Sequence, residues 1–284
     1  MEQLTTPATM RAWSEARRAA GHRVAFVPTM GALHAGHRRL IDVAHSHGDV
    51  VIVSIFVNRL QFNRQDDFAA YPRPIDDDAT TCADAGVDAL YAPTATAMYP
   101  PEFQTHVEPG PLADPMEGAG RPGHFRGVAT VVAKLLNATA PHVAVFGQKD
   151  YQQLAVVRRM VADLDMGVEI VSVPTVREPD GLALSSRNRR LSAAARAAAV
   201  VVPTALNAAL ERFEEGERDA AAIERTVETT VGGEAEARLE YAQVVNARTL
   251  QRHEQIVEPS VLATAVWFDD VRLIDNVLLD PSSR

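Results

Sequence analysis

Cysteine is almost absent from the chain: Cys82 is the single one. This excludes an intramolecular disulfide and any metal site built from several cysteines. We expect Cys82 to be a small apolar side chain on a helix. Long apolar runs are also missing, since no uncharged stretch approaches the roughly 18 residues of a membrane span. The N-terminal segment lacks the apolar core of a signal peptide. The sequence therefore predicts a cytoplasmic protein that does not enter a membrane.

Positive charge is in short supply. The chain has 28 Lys and Arg against 37 Asp and Glu, a net charge of −9 at pH 7. This balance excludes a broad basic surface for nucleic acid. A nucleotide can still bind where Lys, Arg, His and backbone N–H groups gather in one cleft. With 284 residues, 46% of them hydrophobic and 23% charged, the chain is typical of a globular protein with two domains.

Short β-branched runs bounded by turn residues predict buried parallel strands. Helical patterns separate these runs, and this alternation predicts an α/β fold with a Rossmann-like, doubly wound parallel sheet. Ligands of such sheets bind beyond the carboxyl ends of the strands. The predicted strands lie at 23–28, 49–58, 87–93 and 168–176, with a further strand, turn and helix over 142–164.

The composition changes after about residue 190, where an alanine-rich amphipathic helix begins. Strand patterns follow it, so we predict a second, smaller α+β domain. The predicted domain ranges are 1–175 for the Rossmann-like domain and 176–284 for the smaller one.

The segment 93–125 carries many of the chain's prolines and glycines and shows no regular pattern. A loop of this length in a compact domain is usually a lid or a binding segment. Arg121, His124 and Arg126 lie in or beside it, either as lid contacts or as solvated side chains.

"PTMGALHAGH" (28–37) places His34 and His37 just past a predicted strand, at the start of a helix. Helix N-termini attract anions through their unpaired N–H groups and the helix dipole. Gly31 and Gly36 let the backbone approach a ligand closely. A zinc site needs three or four ligands, and no matching set is evident. Phosphate binding is therefore favoured over a metal pair.

"FGQKDYQQ" (146–153) repeats this strand-to-helix arrangement. Lys149 is either a point charge for phosphate or a solvated side chain. Asp150 is at least as well explained as an N-cap of the following helix.

"ALSSRN" (183–188) sets two hydroxyl groups beside a guanidinium group. Ser185, Ser186 and Arg187 suit phosphate oxygens through hydroxyl, N–H and charge-assisted bonds. The alternative is a serine N-cap, but Ser192 already fills that role for the next helix.

Asn58 and Gln61 follow a predicted strand, where ligands of such sheets bind. Their amides donate and accept hydrogen bonds and therefore suit a hydroxylated substrate. The three acids of "YPRPIDDD" (71–78) most simply cap the N-terminus of a helix. Support of Mg²⁺ is the second interpretation.

Taken together, these motifs resemble the pantoate–β-alanine ligase family. The HxGH pattern alone is shared with other nucleotidyltransferases and class I aminoacyl-tRNA synthetases, whereas the ordered set is highly specific. The matching stretches, in chain order, are PTMGALHAGH, SIFVN-LQF, YPR, HFRGVATVVAKLLN, FGQKDYQQ, VPTVRE-DGLALSSRN and RLIDN.

The resemblance implies a nucleotidyltransferase-type Rossmann domain, a homodimer, and ATP with Mg²⁺. It also implies a two-step reaction. The carboxylate of pantoate attacks the α-phosphorus of ATP and gives pantoyl adenylate and pyrophosphate. The amine of β-alanine then attacks the acyl carbon and releases AMP and pantothenate. This chemistry requires oriented reactants and positive groups around the phosphates rather than a protein nucleophile.

The resemblance also implies roles for particular residues. His34, His37, Lys149 and Arg187 are the expected catalytic groups, with His37 either donating a proton or supplying charge. Asp77 and Asp78 are expected to support magnesium. The amides expected to bind pantoate and β-alanine are Asn58, Gln61 and Gln153. The expected ATP contacts are Met30, Gly31, Ala32, Leu33, His34, Ala35, Gly36, His37, Gly147, Gln148, Lys149, Asp150, Val176, Leu184, Ser185, Ser186 and Arg187.

This chain departs from the family pattern in a few places. Arg59 replaces a usual proline beside the predicted pantoate amides, and Gln148 replaces a usual glutamate. Ala35 replaces a longer polar residue, and Thr81 stands where a glutamine supports the metal in some relatives. The alternative function is a nucleotidyltransferase acting on a phosphorylated acceptor, which would need basic acceptor contacts in place of the amides. A nucleotide-binding module without catalysis is a third hypothesis.

Overall fold

The computed structural model describes residues 1–282. The chain divides into two compact units. The first comprises residues 1–148 and 153–174, and the second comprises residues 149–152 and the residues from Thr175 onward. The domain ranges 1–175 and 176–284 stay a prediction. They differ from these units chiefly in the tetrapeptide 149–152, which groups with the C-terminal unit.

The first unit is built on a parallel sheet with the strand order β1-β4-β3-β2-β5-β6. Every neighbouring pair is parallel. The chain runs outward from β2 to β3 and β4 on one side and to β5 and β6 on the other, as in a doubly wound fold. The predicted fold class is confirmed. The strands are β1 (Glu2–Leu4), β2 (Val24–Thr29), β3 (Val50–Ile55), β4 (Ala89–Tyr91), β5 (Val143–Gly147) and β6 (Glu169–Val173).

Helices cover both faces of this sheet. Successive strand residues point to opposite faces, so Phe26 belongs to one hydrophobic core and Val27 to the other. The first core is closed by α1, α7 and α8, and the second by α2 and α4. The helices are α1 (Pro7–Ala19), α2 (Ala35–His47), α3 (Gln65–Ala70), α4 (Ile75–Asp84), α5 (Ala95–Met98), α6 (Glu117–Gly120), α7 (His124–Thr139) and α8 (Tyr151–Asp163).

Short 3-10 helices mark several of the connections, and their bounds are Arg59–Gln61, Pro111–Ala113, Gln148–Asp150 and Ser186–Arg190. The predicted irregular segment 93–125 contains α5, α6 and one of these turns and ends in the first two residues of α7, and the rest of it is loop.

Cys82 is buried on α4, as expected. Burial, and to a smaller extent the negative charge of Asp78, raise the pKa of its thiol to about 11. The thiolate is therefore scarce at neutral pH, which agrees with a packing role.

The second unit has an antiparallel sheet in the order β7-β8-β9. Its core joins apolar residues of this sheet, such as Leu262 and Phe268, to Leu206 and Ile223 on the helices. The predicted smaller α+β domain is confirmed. Its elements are α9 (Ala193–Ala198), α10 (Val201–Glu214), α11 (Ala220–Gly232), β7 (Ala237–Asn246), β8 (Ser260–Phe268) and β9 (Val271–Leu279).

Within residues 1–282, one helical stretch, Ala193–Glu214, is long and apolar enough to cross a membrane by length and composition. It comprises α9 and α10. Ala195, Val202, Leu206 and Phe213 of this stretch all lie in the core of the second unit. Packing against the antiparallel sheet thus accounts for its apolar character.

Candidate active site

The turn between β2 and α2 has a backbone that only certain residues can adopt. Gly31 and Ala32 both have a positive φ, 83° and 52°. A Cβ atom on Gly31 would lie 2.8 Å from Oδ2 of Asp78 and 3.0 Å from the side chain of Ile55. Position 31 therefore requires glycine both for its φ and for the space around it.

The side chain of Asp78 holds this turn through two hydrogen bonds. It lies in the first turn of α4 and is only 3% exposed. Oδ2 accepts the backbone N–H of Ala32 at 2.8 Å, and Oδ1 accepts that of Leu33 at 2.7 Å. Hydrogen bonds from N–H groups to a carboxylate are stronger than those between neutral groups. The acids lie in the first turn of α4, but no side chain among residues 1–282 caps this helix in the predicted way. The N–H groups that Asp78 accepts belong to the turn after β2.

His34 and His37 cap α2 reciprocally. The N–H of Gly36 donates to Nδ1 of His34 at 3.1 Å, and the N–H of His34 donates to Nδ1 of His37 at 3.3 Å. The two ring centroids are 4.1 Å apart. Because Nδ1 accepts in both rings, each neutral imidazole carries its proton on Nε2. Both histidines can therefore donate from Nε2 beside the N-terminus of a helix.

Asn58 and Gln61 form an amide pair after β3, and both are buried, with 1% and 7% exposure. Nδ2 of Asn58 donates to Oε1 of Gln61 at 2.9 Å and to the carbonyl of Gly127 at 3.0 Å. Its Oδ1 accepts from the N–H of Leu60 at 3.3 Å and from the hydroxyl of Tyr99 at 2.9 Å. The sequence did not indicate Tyr99, because its contact with Asn58 depends on how the segment 93–125 folds back.

The backbone and the amide of Gln61 are held separately. Its carbonyl accepts from Nδ1 of His124 at 2.8 Å and from Arg121 at 3.2 Å. Its Nε2 donates to Sδ of Met30 at 3.2 Å, which joins this turn to the histidine turn. A Cβ on Gly127 would lie 2.4 Å from the carbonyl oxygen of Leu60, the residue before Gln61. Glycine at 127 thus lets α7 pack directly on this turn.

The three basic side chains in or beside the segment 93–125 make different contacts. Arg121 and His124 contact the Gln61 turn. Arg126 instead pairs with Glu108 at 3.2 Å, and both side chains are largely exposed.

Arg59 points away from the amide pair. Its guanidinium donates to the carbonyl of Phe62 at 3.0 Å and lies 5.4 Å from the ring centroid of Phe68. The turn retains its cap, since Asn58 still accepts the N–H of Leu60. Arginine in place of the family's proline therefore leaves the turn intact.

The two acids predicted to support magnesium have different surroundings, and their role toward the metal stays a prediction. Asp77 is exposed, whereas both oxygens of Asp78 accept backbone N–H groups. The hydroxyl of Thr81 donates to the carbonyl of Asp77 at 2.9 Å. Among residues 1–282, no group of three or more His, Cys, Asp or Glu side chains could hold a metal ion. Asp78 therefore fits a structural role better than that of a metal ligand.

The second unit brings two further predicted ATP contacts together. The N–H of Leu184 donates to the carbonyl of Val176 at 2.9 Å, which closes a hairpin. Ser185 follows directly and caps the short helix Ser186–Arg190, because its hydroxyl accepts the N–H of Arg187 at 3.2 Å. The sequence predicts the capping role for Ser192, which caps α9. Ser185 is thus an N-cap as well as a predicted phosphate contact.

The late motif "RLIDN" braces two predicted ATP segments of this unit. Asp275, 2% exposed, binds the guanidinium of Arg177 with both oxygens, at 2.6 and 3.1 Å. Nδ2 of Asn276 donates to the carbonyl of Lys149 at 3.0 Å. Asp275 therefore anchors the hairpin beside Val176, and Asn276 anchors the backbone of the predicted catalytic lysine.

The remaining predicted contacts flank β5. Gly147 ends this strand, and Nε2 of Gln148 lies 3.5 Å from the hydroxyl of Ser172. Asp150 is exposed and directly precedes α8, so its capping role stays a prediction. Gln153 is half-buried on the first turn of that helix.

Comparison with known proteins decides the family. The profile of the family described as pantoate-beta-alanine ligase matches residues 2–278. The chain is 51% identical to the pantothenate synthetase of Chloroflexus aurantiacus over 268 residues, 94% of this chain and 95% of that protein. It is 47% identical to that of Moorella thermoacetica over 280 residues, 99% of both chains. The chain belongs to the pantoate–β-alanine ligase family.

Solved structures agree with this assignment. Pantothenate synthetase from Thermus thermophilus has a TM-score of 0.93 and 45% identity, with 99% of this chain and 100% of that chain covered. Pantoate-beta-alanine ligase from Francisella tularensis, complexed with beta-gamma ATP and beta-alanine, has a TM-score of 0.77 and 34% identity, with 98% and 97% covered. The predicted family and activity are confirmed: the chain is an ATP-dependent pantoate–β-alanine ligase of pantothenate biosynthesis.

Proposed function

We propose that the two substrates of the first step bind at the carboxyl ends of two neighbouring strands, one after β2 and the other after β3. The histidine turn after β2 takes the phosphates of ATP, and the amide turn after β3 takes pantoate. The carboxylate of pantoate attacks the α-phosphorus, and a new O–P bond forms as the bond to pyrophosphate breaks. The amine of β-alanine then forms a C–N bond to the acyl carbon, and the C–O bond to AMP breaks.

One observation supports this assignment above the others. His34 and His37 accept backbone N–H groups at Nδ1, so both rings donate from Nε2 at the start of α2. Such donors suit phosphate oxygens on which charge develops. We assign His37 chiefly to charge stabilisation, because pyrophosphate leaves without needing a proton from the protein. Met30, Gly31, Ala32, Leu33, Ala35 and Gly36 are the proposed neighbouring ATP contacts.

The other proposed ATP contacts come from the segments 147–150 and 176–187. Lys149 and Arg187 offset the charge that develops on the leaving pyrophosphate. Ser185 and Ser186 supply hydroxyl and N–H groups. The remaining proposed contacts are Gly147, Gln148, Asp150, Val176 and Leu184.

Gln61 and Gln153 are proposed to bind the hydroxyl and carboxyl groups of pantoate, with Asn58 beside them. Gln61 is also assigned to β-alanine. Mg²⁺ is expected to accompany ATP through its phosphates, and Asp77 is the exposed acid assigned to its support.

The enzyme is further proposed to be a cytoplasmic homodimer. Size-exclusion chromatography with light scattering tests the dimer: a mass of twice one chain supports it, and the mass of one chain contradicts it.

The proposed reaction is tested by incubating the purified protein with ATP and Mg²⁺ and adding the two acids singly and together. AMP and pantothenate are expected in equal amounts when both pantoate and β-alanine are present. Pyrophosphate release that requires a phosphorylated acceptor and ignores pantoate would instead support a nucleotidyltransferase. Binding of ATP without any turnover would support a module that has lost catalysis.

A further inference from the structure

The orientation of the Asn58 amide is fixed because one backbone partner can only donate and another can only accept. The N–H of Leu60 can only donate, and it faces Oδ1. The carbonyl of Gly127 can only accept, and it faces Nδ2. The hydroxyl of Tyr99 adds a second donor to Oδ1 at 2.9 Å. A reversed amide would face donor with donor and acceptor with acceptor, in a site with 1% exposure.

This orientation is passed on to Gln61. The second hydrogen on Nδ2 of Asn58 points to Gln61, so Gln61 must present Oε1 there. The NH₂ group of Gln61 is then left for other partners. One of its hydrogens faces Sδ of Met30, a weak acceptor. Within residues 1–282 the other hydrogen has no hydrogen-bond partner, so Gln61 offers a ligand a donor.

We propose that Tyr99 is a positioning residue that acts through Asn58 to fix the amide of Gln61 as a hydrogen-bond donor toward an oxygen of pantoate. The inference rests on the proposed function, in which Gln61 binds pantoate. A fixed donor favours an acceptor such as a carboxylate or hydroxyl oxygen, and it disfavours a ligand group that can only donate.

The surroundings of Tyr99 suit a fixed donor. Its ring packs against Phe103 with centroids 4.9 Å apart and against Phe56 at 6.0 Å. Nζ of Lys134 lies 5.8 Å from the ring centroid. Burial raises the pKa of the Tyr99 hydroxyl above its ordinary value, so the group keeps its proton at neutral pH. Tyr99 therefore presents an intact O–H to Asn58 at neutral pH.

The test is Tyr99→Phe, which removes the hydroxyl and keeps the ring. We expect the KM of pantoate to rise about tenfold, with kcat and the KM of ATP within about twofold of wild type, because one hydrogen bond of the relay is lost. Tyr91→Phe is the matched control. Its hydroxyl is also buried but has no hydrogen-bond partner in residues 1–282, so its loss should leave the KM of pantoate unchanged.

A double-mutant cycle separates positioning from general packing. In a Gln61→Ala background, which should itself raise the KM of pantoate, Tyr99→Phe should add less than about twofold, because its effect passes through the missing amide. Asn58→Asp is a second variant, since it turns both amide donors into acceptors and forces Gln61 to reverse its own amide. We expect it to raise the KM of pantoate more than Tyr99→Phe does. Thermal unfolding of each variant establishes that it is folded.

The outcomes distinguish this inference from the proposed function beneath it. An unchanged KM of pantoate in Tyr99→Phe, with a raised one in Gln61→Ala, overturns the role of Tyr99 alone. An equal effect of Tyr99→Phe with and without Gln61 also overturns it. An unchanged KM of pantoate in Gln61→Ala removes Gln61 from pantoate binding, and it overturns both the role of Tyr99 and the proposed role of Gln61.

Discussion

Two neighbouring turns of this enzyme, each at the carboxyl end of a parallel strand, are held by opposite kinds of chemistry. A buried carboxylate, that of Asp78, holds the histidine turn through two backbone N–H groups. The amide turn is held by the side chains of Asn58 and Tyr99 and by backbone carbonyls, with cationic Arg121 reaching only the backbone of Gln61.

The difference matches what each turn is proposed to bind. A charged brace fixes the shape of the first turn. Backbone N–H groups at Nδ1 place the proton of each histidine on Nε2, the donor proposed for phosphate. An amide has a C=O end and an NH₂ end, so the second turn must also determine which end faces the ligand. Hydrogen-bond partners that can only donate or only accept determine it. The first turn thus depends on a fixed backbone shape, and the second on a fixed amide orientation.

The largest expected effect is on the chemistry of the histidine turn. His37→Ala should slow adenylate formation about 10²-fold, the scale of losing a preorganised donor, while the KM of pantoate stays near its wild-type value. Rapid-quench measurement of pantoyl adenylate checks this. His45→Ala is the control on the same helix, because His45 contacts the carbonyl of Ala85 at the far end. Near-native rates in His37→Ala would remove His37 from the mechanism.

The next effect concerns the charged brace. Asp78→Asn should lower the free energy of unfolding by about 2 kcal/mol, because one backbone N–H loses its acceptor and meets an amide NH₂ instead. The KM of ATP should rise with it, whereas the KM of pantoate should change little.

Chemical denaturation and steady-state kinetics measure both quantities. Asp76→Asn is the matched control, since Asp76 lies in the same first turn of α4 and is exposed. Stability and a KM of ATP in Asp78→Asn that match those of Asp76→Asn would contradict the bracing role of Asp78.

A third, smaller effect is the dependence of stability on pH. A hydrogen bond from Arg196, and to a smaller extent one from Asn188, lowers the pKa of Glu178 beside the Val176 hairpin. A lowered pKa adds stability above the unfolded-state pKa, about 4.3, and this is lost as pH falls through the folded value. Glu178→Gln should be less stable than wild type at pH 7 by at most about 1 kcal/mol. Denaturation across pH 7 to 3 should show the gap closing, and a gap that widens toward acid would contradict the assignment.

The smallest effect is expected at Arg59. Asn58 already has an extended backbone, with φ −81° and ψ 105°, which suits a following proline. Arg59→Pro should therefore raise stability by about 0.5 kcal/mol through the unfolded state and leave the KM of pantoate unchanged. A fall in that KM would mean that the arginine weakens the amide turn.

The parallel sheet was predictable because its inner strands are buried on both faces and appear as continuous β-branched runs. The edge strand β1 has only three residues, so no run marks it. The helix α1 carries a local start signal, with Thr6 as N-cap and Pro7 in the first turn.

The site was predictable where function depends on local sequence. The histidine turn lies within ten residues, and its glycines and helix start are visible in the motif. The braces were not predictable, because they come from far along the chain. Asp78 reaches back to Ala32, Tyr99 reaches Asn58, and Asn276 reaches Lys149. Folding alone brings these pairs together, and no spacing rule records them.

Exchange of labelled pyrophosphate into ATP, measured with pantoate and without β-alanine, tests the division of labour between the two turns most directly. Wild-type enzyme should catalyse exchange only when pantoate is present. Gln61→Ala should be weak at low pantoate and recover as pantoate saturates, whereas His37→Ala should stay weak at every pantoate concentration. Exchange without pantoate, or recovery of His37→Ala but not of Gln61→Ala at saturating pantoate, would contradict the account.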